Sequence, residues 1–114
     1  MSLISTYEDY SKINSEFINF IDRLVINNFT TFTEEQIKMN LSIALKNYED
    51  LKFKSDEITT DSENEVNLND LRYLIMSGLF LVSDLIHFYN LKELERFKMR
   101  AVNYINNSRR AKLY

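Results

Sequence analysis

Apolar residues return every three or four positions through most of the chain. Tyr10, Ile13, Phe17, Phe20, Ile21, Leu24 and Val25 form a first series, and Ile37, Leu41, Ala44, Leu45, Tyr48 and Leu51 a second. A third runs through Leu71, Ile75, Gly78, Val82, Leu85, Ile86 and Tyr89, and a fourth through Leu94, Phe97, Ala101, Val102 and Ile105. This spacing gathers each series on one side of a helix, whereas a strand would alternate with a period of two. It predicts four helices, over about 6–28, 34–53, 68–89 and 91–107.

Start signals sit just before each series. A helix opens with orphan backbone N–H groups that a Ser, Thr, Asn or Asp side chain satisfies, often with an acidic or amide side chain bonding back three residues later. The pairs Ser5 with Glu8, Thr33 with Gln36, Asn67 with Asp70 and Asn90 with Glu93 have that spacing. Hydrophobic staples accompany three of them: Phe32 with Ile37, Val66 with Leu71, and Tyr89 with Leu94. The third and fourth helices are separated by so little that one kinked helix is an alternative. Between the second and third lies "KSDEITTDSENEVN" (54–67), an acidic stretch nearly free of apolar residues, which predicts a flexible surface loop.

Composition strengthens the all-α reading. The chain has one glycine and no proline in 114 residues, where average usage would give about eight and six. Tight hairpins draw on residues that tolerate positive φ, glycine above all. Helices need neither. A chain of this length supports one domain with its own core, and the expectation is a compact bundle of about four helices over residues 1–114, the third helix central and mostly buried.

The same counts remove several chemistries. Phosphate-binding loops need two or three glycines. Zero cysteines and one histidine exclude zinc sites built from those ligands and the Glu-x-x-His pairs of di-iron bundles. An EF-hand frame from Asp61 places Glu63 and Glu65 correctly but puts Val66 where glycine is required and Arg72 where a glutamate is required. The expectation is a protein without a cofactor and without catalytic activity. The N-terminal "MSLISTYEDY" carries no basic-then-apolar leader, and the cysteine-free composition fits a reducing compartment, so a cytoplasmic location is expected.

The most apolar run, "LIMSGLFLVSDLIHFYN" (74–90), is interrupted by Ser83, Asp84 and His87. A membrane span needs about twenty apolar residues with few charges, so no membrane association is expected. On a helical wheel Gly78 falls at the centre of the buried stripe. There it predicts a close helix crossing opposite a small residue, Ala44 or Ala101. Met76, Phe80, Ser83, Asp84 and His87 fall on the opposite arc. Ser83, Asp84 and His87 are one turn apart, close enough for a local pair, but the arrangement lacks the elbow and oxyanion donor that nucleophilic catalysis needs. A helix apolar nearly all round is central in its fold or covered by a second chain. That arc is therefore the candidate interface for a partner protein or for another copy of the chain.

Charge is unevenly placed. Residues 91–114 hold seven basic side chains (Lys92, Arg96, Lys98, Arg100, Arg109, Arg110 and Lys112) against Glu93 and Glu95, a net of +5 that leaves −8 for the rest of a chain whose total is −3. Arg96, Lys98, Arg100, Arg109, Arg110 and Lys112, ending in a basic tail at about 108–114, are candidate contacts for an acidic partner. They also suit nucleic-acid phosphates, with Tyr104 or Tyr114 stacking on bases. A sequence pI near 5.2 counts against nucleic acid, whose binding domains are usually basic. The favoured expectation is a helical module that binds and masks another protein, as adaptors, inhibitors and immunity-type proteins do. Accessory nucleic-acid binding through the C-terminal helix is the alternative.

Overall fold

A computed structural model describes residues 2–112, with side chains through residue 109. Four helices make up the fold: α1 (Leu3–Ile26), α2 (Glu34–Asp56), α3 (Glu65–Asn90) and α4 (Leu94–Lys112). Consecutive helices run antiparallel. Lys54 near the end of α2 reaches Asp9 near the start of α1 (3.7 Å), Tyr48 lies against Gly78, and Asp84 of α3 pairs with Arg100 of α4 (2.9 Å).

The starts follow capping chemistry, but only one falls where the spacing predicts. Thr33 and Gln36 form a reciprocal box at α2, at 3.1 and 2.9 Å. At α1 the cap is Ser2, whose hydroxyl accepts the Ser5 N–H at 3.0 Å, so the helix opens a turn earlier than predicted. The Thr6 hydroxyl donates to the Ser2 carbonyl (2.9 Å), which secures the extra turn. The α3 helix likewise begins early, at Glu65, with Asn64 as a cap without a side-chain bond, and Asn67 lies inside the helix. Asn90 is the last residue of α3 and caps nothing; α4 instead hangs from the Glu93 carbonyl, which accepts the Phe97 N–H at 3.1 Å.

The ends show how a chain with one glycine reverses direction. After α1, the Phe29 N–H bonds the Leu24 carbonyl (2.8 Å) and the Asn28 N–H bonds the Val25 carbonyl (3.2 Å). After α3, Glu93 bonds Phe88 (2.8 Å) and Lys92 bonds Tyr89 (3.0 Å) in the same pattern. Both are Schellman motifs, in which the residue just past the cap takes the left-handed conformation that glycine usually supplies. Asn28 (φ 51°) and Lys92 (φ 58°) take it here, and Phe29 (φ 64°) continues it. The second motif makes α3 and α4 two helices and not one kinked one.

The α2–α3 connection is shorter than the 54–67 stretch suggests, running from Glu57 to Asn64. Ile58 is buried within it, and the Arg72 guanidinium donates to the Ser55 carbonyl through Nη2 (3.1 Å) and Nε (3.3 Å). The guanidinium thereby joins the Ile58 N–H (3.3 Å) on a carbonyl in the last turn of α2.

One cluster of buried side chains fills the interior, drawn from all four helices, with Ile21, Leu24, Tyr48, Ile75, Leu85 and Phe97 among its fully enclosed members. The α3 helix touches each of the others and packs most closely on α2. By length and composition alone it would qualify as a membrane span. Its Leu71–Ile75–Val82–Leu85 stripe is buried in this core, while Tyr73 and Phe80 on other sides are exposed. The nearest neighbour of Gly78 is neither Ala44 nor Ala101. The glycine faces the ring of Tyr48, whose Cδ1 and Cζ stand 2.7 Å from where a β-carbon would be. The close approach is of an aromatic side chain, not of a second backbone.

Candidate functional site

Of the helix pairs that touch, α1 and α3 pack most thinly, and there the surface opens into a groove of about 750 Å³ bounded by α1, α3 and α4. Its base is polar and rigid. Asn14 sits at a core position of α1, between Tyr10 and Phe17 on the buried stripe. Its Oδ1 accepts two phenolic hydroxyls, Tyr48 from α2 at 2.8 Å and Tyr104 from α4 at 2.6 Å. One amide oxygen thereby ties three helices together. Among the described residues no buried side-chain nitrogen or oxygen lacks a partner, which is the condition for a polar core group to rigidify a fold.

Tyr10 joins this cluster from the next turn of α1. Burial pushes the hydroxyls of Tyr10, Tyr48 and Tyr104 well above the ordinary tyrosine value, and the neighbouring phenols add to the rise. All three stay neutral donors at any physiological pH. The Tyr104 hydroxyl is thus tied into the base while the residue lines the groove, and Tyr114 lies outside the described residues.

Above the base the groove is lined by exposed aromatics and small hydroxyls. Tyr7, Tyr73 and Phe80 line it with 51%, 72% and 57% of their surfaces open to solvent. Ser11 and Ser15 from α1, Ser77 from α3 and Ser108 from α4 supply hydroxyls. Arg100 is the one charged residue along it among those described. In a chain with 17 Asp and Glu residues, a groove without a carboxylate in its lining is electrostatically distinct from the rest of the surface.

The two sets of residues singled out by sequence meet here in part. Phe80 lines the groove directly, and Asp84 reaches its edge by accepting the Arg100 Nε at 2.9 Å. Asp84 is thus engaged across helices and forms no dyad with His87, whose ring lies beside Phe88 at 6.0 Å. Ser83 and His87 are exposed, Met76 is half-buried, and none of the three lines the groove. Among the described residues no three His, Cys, Asp or Glu side chains gather within reach of one metal ion.

The four members of the basic set whose side chains are described each pair with a carboxylate of the chain. Arg96 pairs with Glu93 (3.3 Å), Lys98 with Glu95 (3.4 Å), Arg100 with Asp84 and Arg109 with Asp22 (3.6 Å). Lys98 also stands 6.0 Å above the Phe29 ring, a cation–π distance. Residues 108–112 continue α4, so the expected tail is helical that far; the side chains of Arg110 and Lys112, and residues 113–114 altogether, lie outside the described residues.

Sequence reasoning missed the α1 wall and the base. Tyr7, Ser11, Asn14 and Ser15 carry no motif, and Tyr73 lies just outside the more apolar 74–90 run. The one available signal was Asn14 itself, a polar residue at a core position of the apolar stripe. No protein-family model, curated protein or solved structure matches this chain.

Proposed function

We propose that the chain is a non-enzymatic protein-binding module that seats a segment of a partner protein in the α1–α3–α4 groove. The observation that carries this reading is the groove's construction, in which exposed Tyr7, Tyr73 and Phe80 stand over a fixed Asn14–Tyr48–Tyr104 base. Aromatic side chains supply most of the anchoring energy at protein interfaces, where they bury large area at low entropic cost. A rigid base adds preorganisation, so less of the binding energy is lost to ordering the site. Masking of another macromolecule, in the manner of an adaptor, inhibitor or immunity-type protein, is the role that suits such a small helical module.

The nucleic-acid alternative draws less support. Phosphate binding depends on several cations that release counterions on contact, whereas Arg96, Lys98 and Arg109 each face a carboxylate of the chain itself and the groove among the described residues carries a single cation, Arg100. A photo-crosslinking residue placed at Phe80, and separately at Phe53 on the outer face of α2, separates the readings in the native host. Adducts from position 80 to a discrete protein, absent from position 53, are expected. Nuclease-sensitive adducts, or equal adducts from both positions, would overturn the proposal.

A further inference from the structure

The charge arrangement of the groove bears on what its occupant must carry, given the protein-binding reading above. Arg100 is its single charge among the described residues, and about a third of its side chain is open to solvent. Asp84 holds it through Nε, at 2.9 Å. That attachment fixes the plane of the guanidinium while leaving the two terminal amines without a partner among the described residues. An arginine anchored this way is a preformed fork, the geometry that matches the two oxygens of a carboxylate. Apart from Asp84 at the edge, which holds the Nε side of Arg100, no carboxylate among the described residues stands in the groove lining to oppose an incoming acid. On either side stand Phe80, one turn from Asp84 on α3, and the Tyr104 ring, one turn from Arg100 on α4.

We infer that the groove takes a partner segment bearing one carboxylate, held by the terminal amines of Arg100, with apolar or aromatic side chains beside it on Tyr73 and Phe80. A phosphorylated segment fits less well, because recognition of a doubly charged phosphate draws on clustered arginines and the groove offers one. The carboxylate comes from an Asp or Glu side chain or from the partner's C-terminus, and the probe distinguishes them.

The test is a display selection of random twelve-residue peptides on the full chain, followed by affinities of the enriched peptides made synthetically. Enriched sequences are expected to combine an acidic group with apolar side chains. Replacing that Asp or Glu by its amide, or amidating the peptide C-terminus where that is the acid, should weaken binding roughly tenfold, the scale of a charge-assisted hydrogen-bond pair. Arg100→Gln should cost the same, with no further loss when both changes are combined. Arg100→Lys, which keeps the charge but not the fork, should fall between, and it serves as the test variant if Arg100→Gln fails to fold. Arg96→Gln, outside the groove, should change nothing. Neutral peptides that bind the Arg100 variants as well as wild type, yet are lost in Tyr73→Ser/Phe80→Ser, would overturn this inference and leave the groove as a binding site. Peptides indifferent to Tyr73→Ser/Phe80→Ser, or no enrichment at all, would overturn both.

Discussion

The ring of Tyr48 occupies the space that a side chain at Gly78 would need. A β-carbon there would lie 2.7 Å from Cδ1 and Cζ of the ring, well inside van der Waals contact. The ring has nowhere to go: it is fully buried, bonded through its hydroxyl to Asn14, and set edge-on to Phe17 at 6.2 Å. Gly→Ala inside a helix ordinarily gains up to about 1 kcal/mol from propensity. Here overpacking outweighs that gain, and Gly78→Ala should destabilise by about 1–3 kcal/mol. Chemical denaturation decides the sign, and a stabilised variant would show that the ring yields.

Lys92 carries the opposite expectation. Its left-handed conformation (φ 58°) closes the Schellman motif after α3, and a residue with a β-carbon pays about 1 kcal/mol or more to adopt it. Lys92→Gly should therefore raise stability by up to about 1 kcal/mol, with the extra freedom of glycine in the unfolded chain cancelling part of the gain. Asn28→Gly should gain less, since asparagine tolerates this region better than lysine. Thermal melts of the two variants beside wild type would reveal the ordering.

Asn14 anchors two hydroxyls, so its removal strands both. Asn14→Ala should lower stability by about 2–4 kcal/mol, combining unsatisfied donors with a small cavity. Tyr48→Phe removes one bond but leaves Asn14 paired with Tyr104, and should cost about 1 kcal/mol. If urea titrations place the two variants level, the amide is not the shared acceptor that its geometry makes it.

The tyrosine cluster also dictates an alkaline limit. Tyr10, Tyr48 and Tyr104 have folded-state values raised above the unfolded 10.0, chiefly by burial. Groups of this kind contribute stability that is fully present below about pH 10 and is lost as pH climbs toward their folded values, because the unfolded chain releases these protons first. Each contributes a loss of at most about 1.4 kcal/mol per pH unit in that window. Absorbance at the phenolate band and helical circular dichroism, followed together above pH 10, should show these three tyrosines ionising in step with unfolding. Full titration of the tyrosines near pH 10 with helicity intact would rule out the buried cluster.

What the sequence discloses is local. The Thr33–Gln36 box is legible because both partners lie within one turn and their chemistry is complete without the rest of the fold. The start of α1 is less so: Ser2 and Ser5 both offer a hydroxyl, and only the added turn with the Thr6 hydroxyl on Ser2 decides between them. Helix ends were harder still, because Asn28 and Lys92 stand where glycine would have marked them. The groove base lay beyond reach in a different way. Asn14 reads as a polar residue on an apolar stripe, but its partners are 34 and 90 residues distant, and no periodicity connects them. Gly78 on the buried stripe points to a close helix crossing opposite a small residue, whereas the nearest group is the Tyr48 ring. The large residue it admits could not be told from its small apolar neighbours, since Tyr48 belongs to the same helical stripe as Ala44.

The central claim is that binding resides in the aromatic groove and not in the basic helix. It is tested most directly by measuring the affinity of the crosslinked partner for two double variants at low and high salt. Tyr73→Ser/Phe80→Ser, on the groove, should weaken binding on the order of a hundredfold or more. Met39→Ser/Phe53→Ser, at equally exposed positions on α2 (64% and 67%), should leave it within twofold, roughly the scatter of a neutral surface change. Wild-type affinity should change little with salt. Equal losses from both pairs, or a steep fall in affinity with salt of the kind that phosphate contacts produce, would contradict the account.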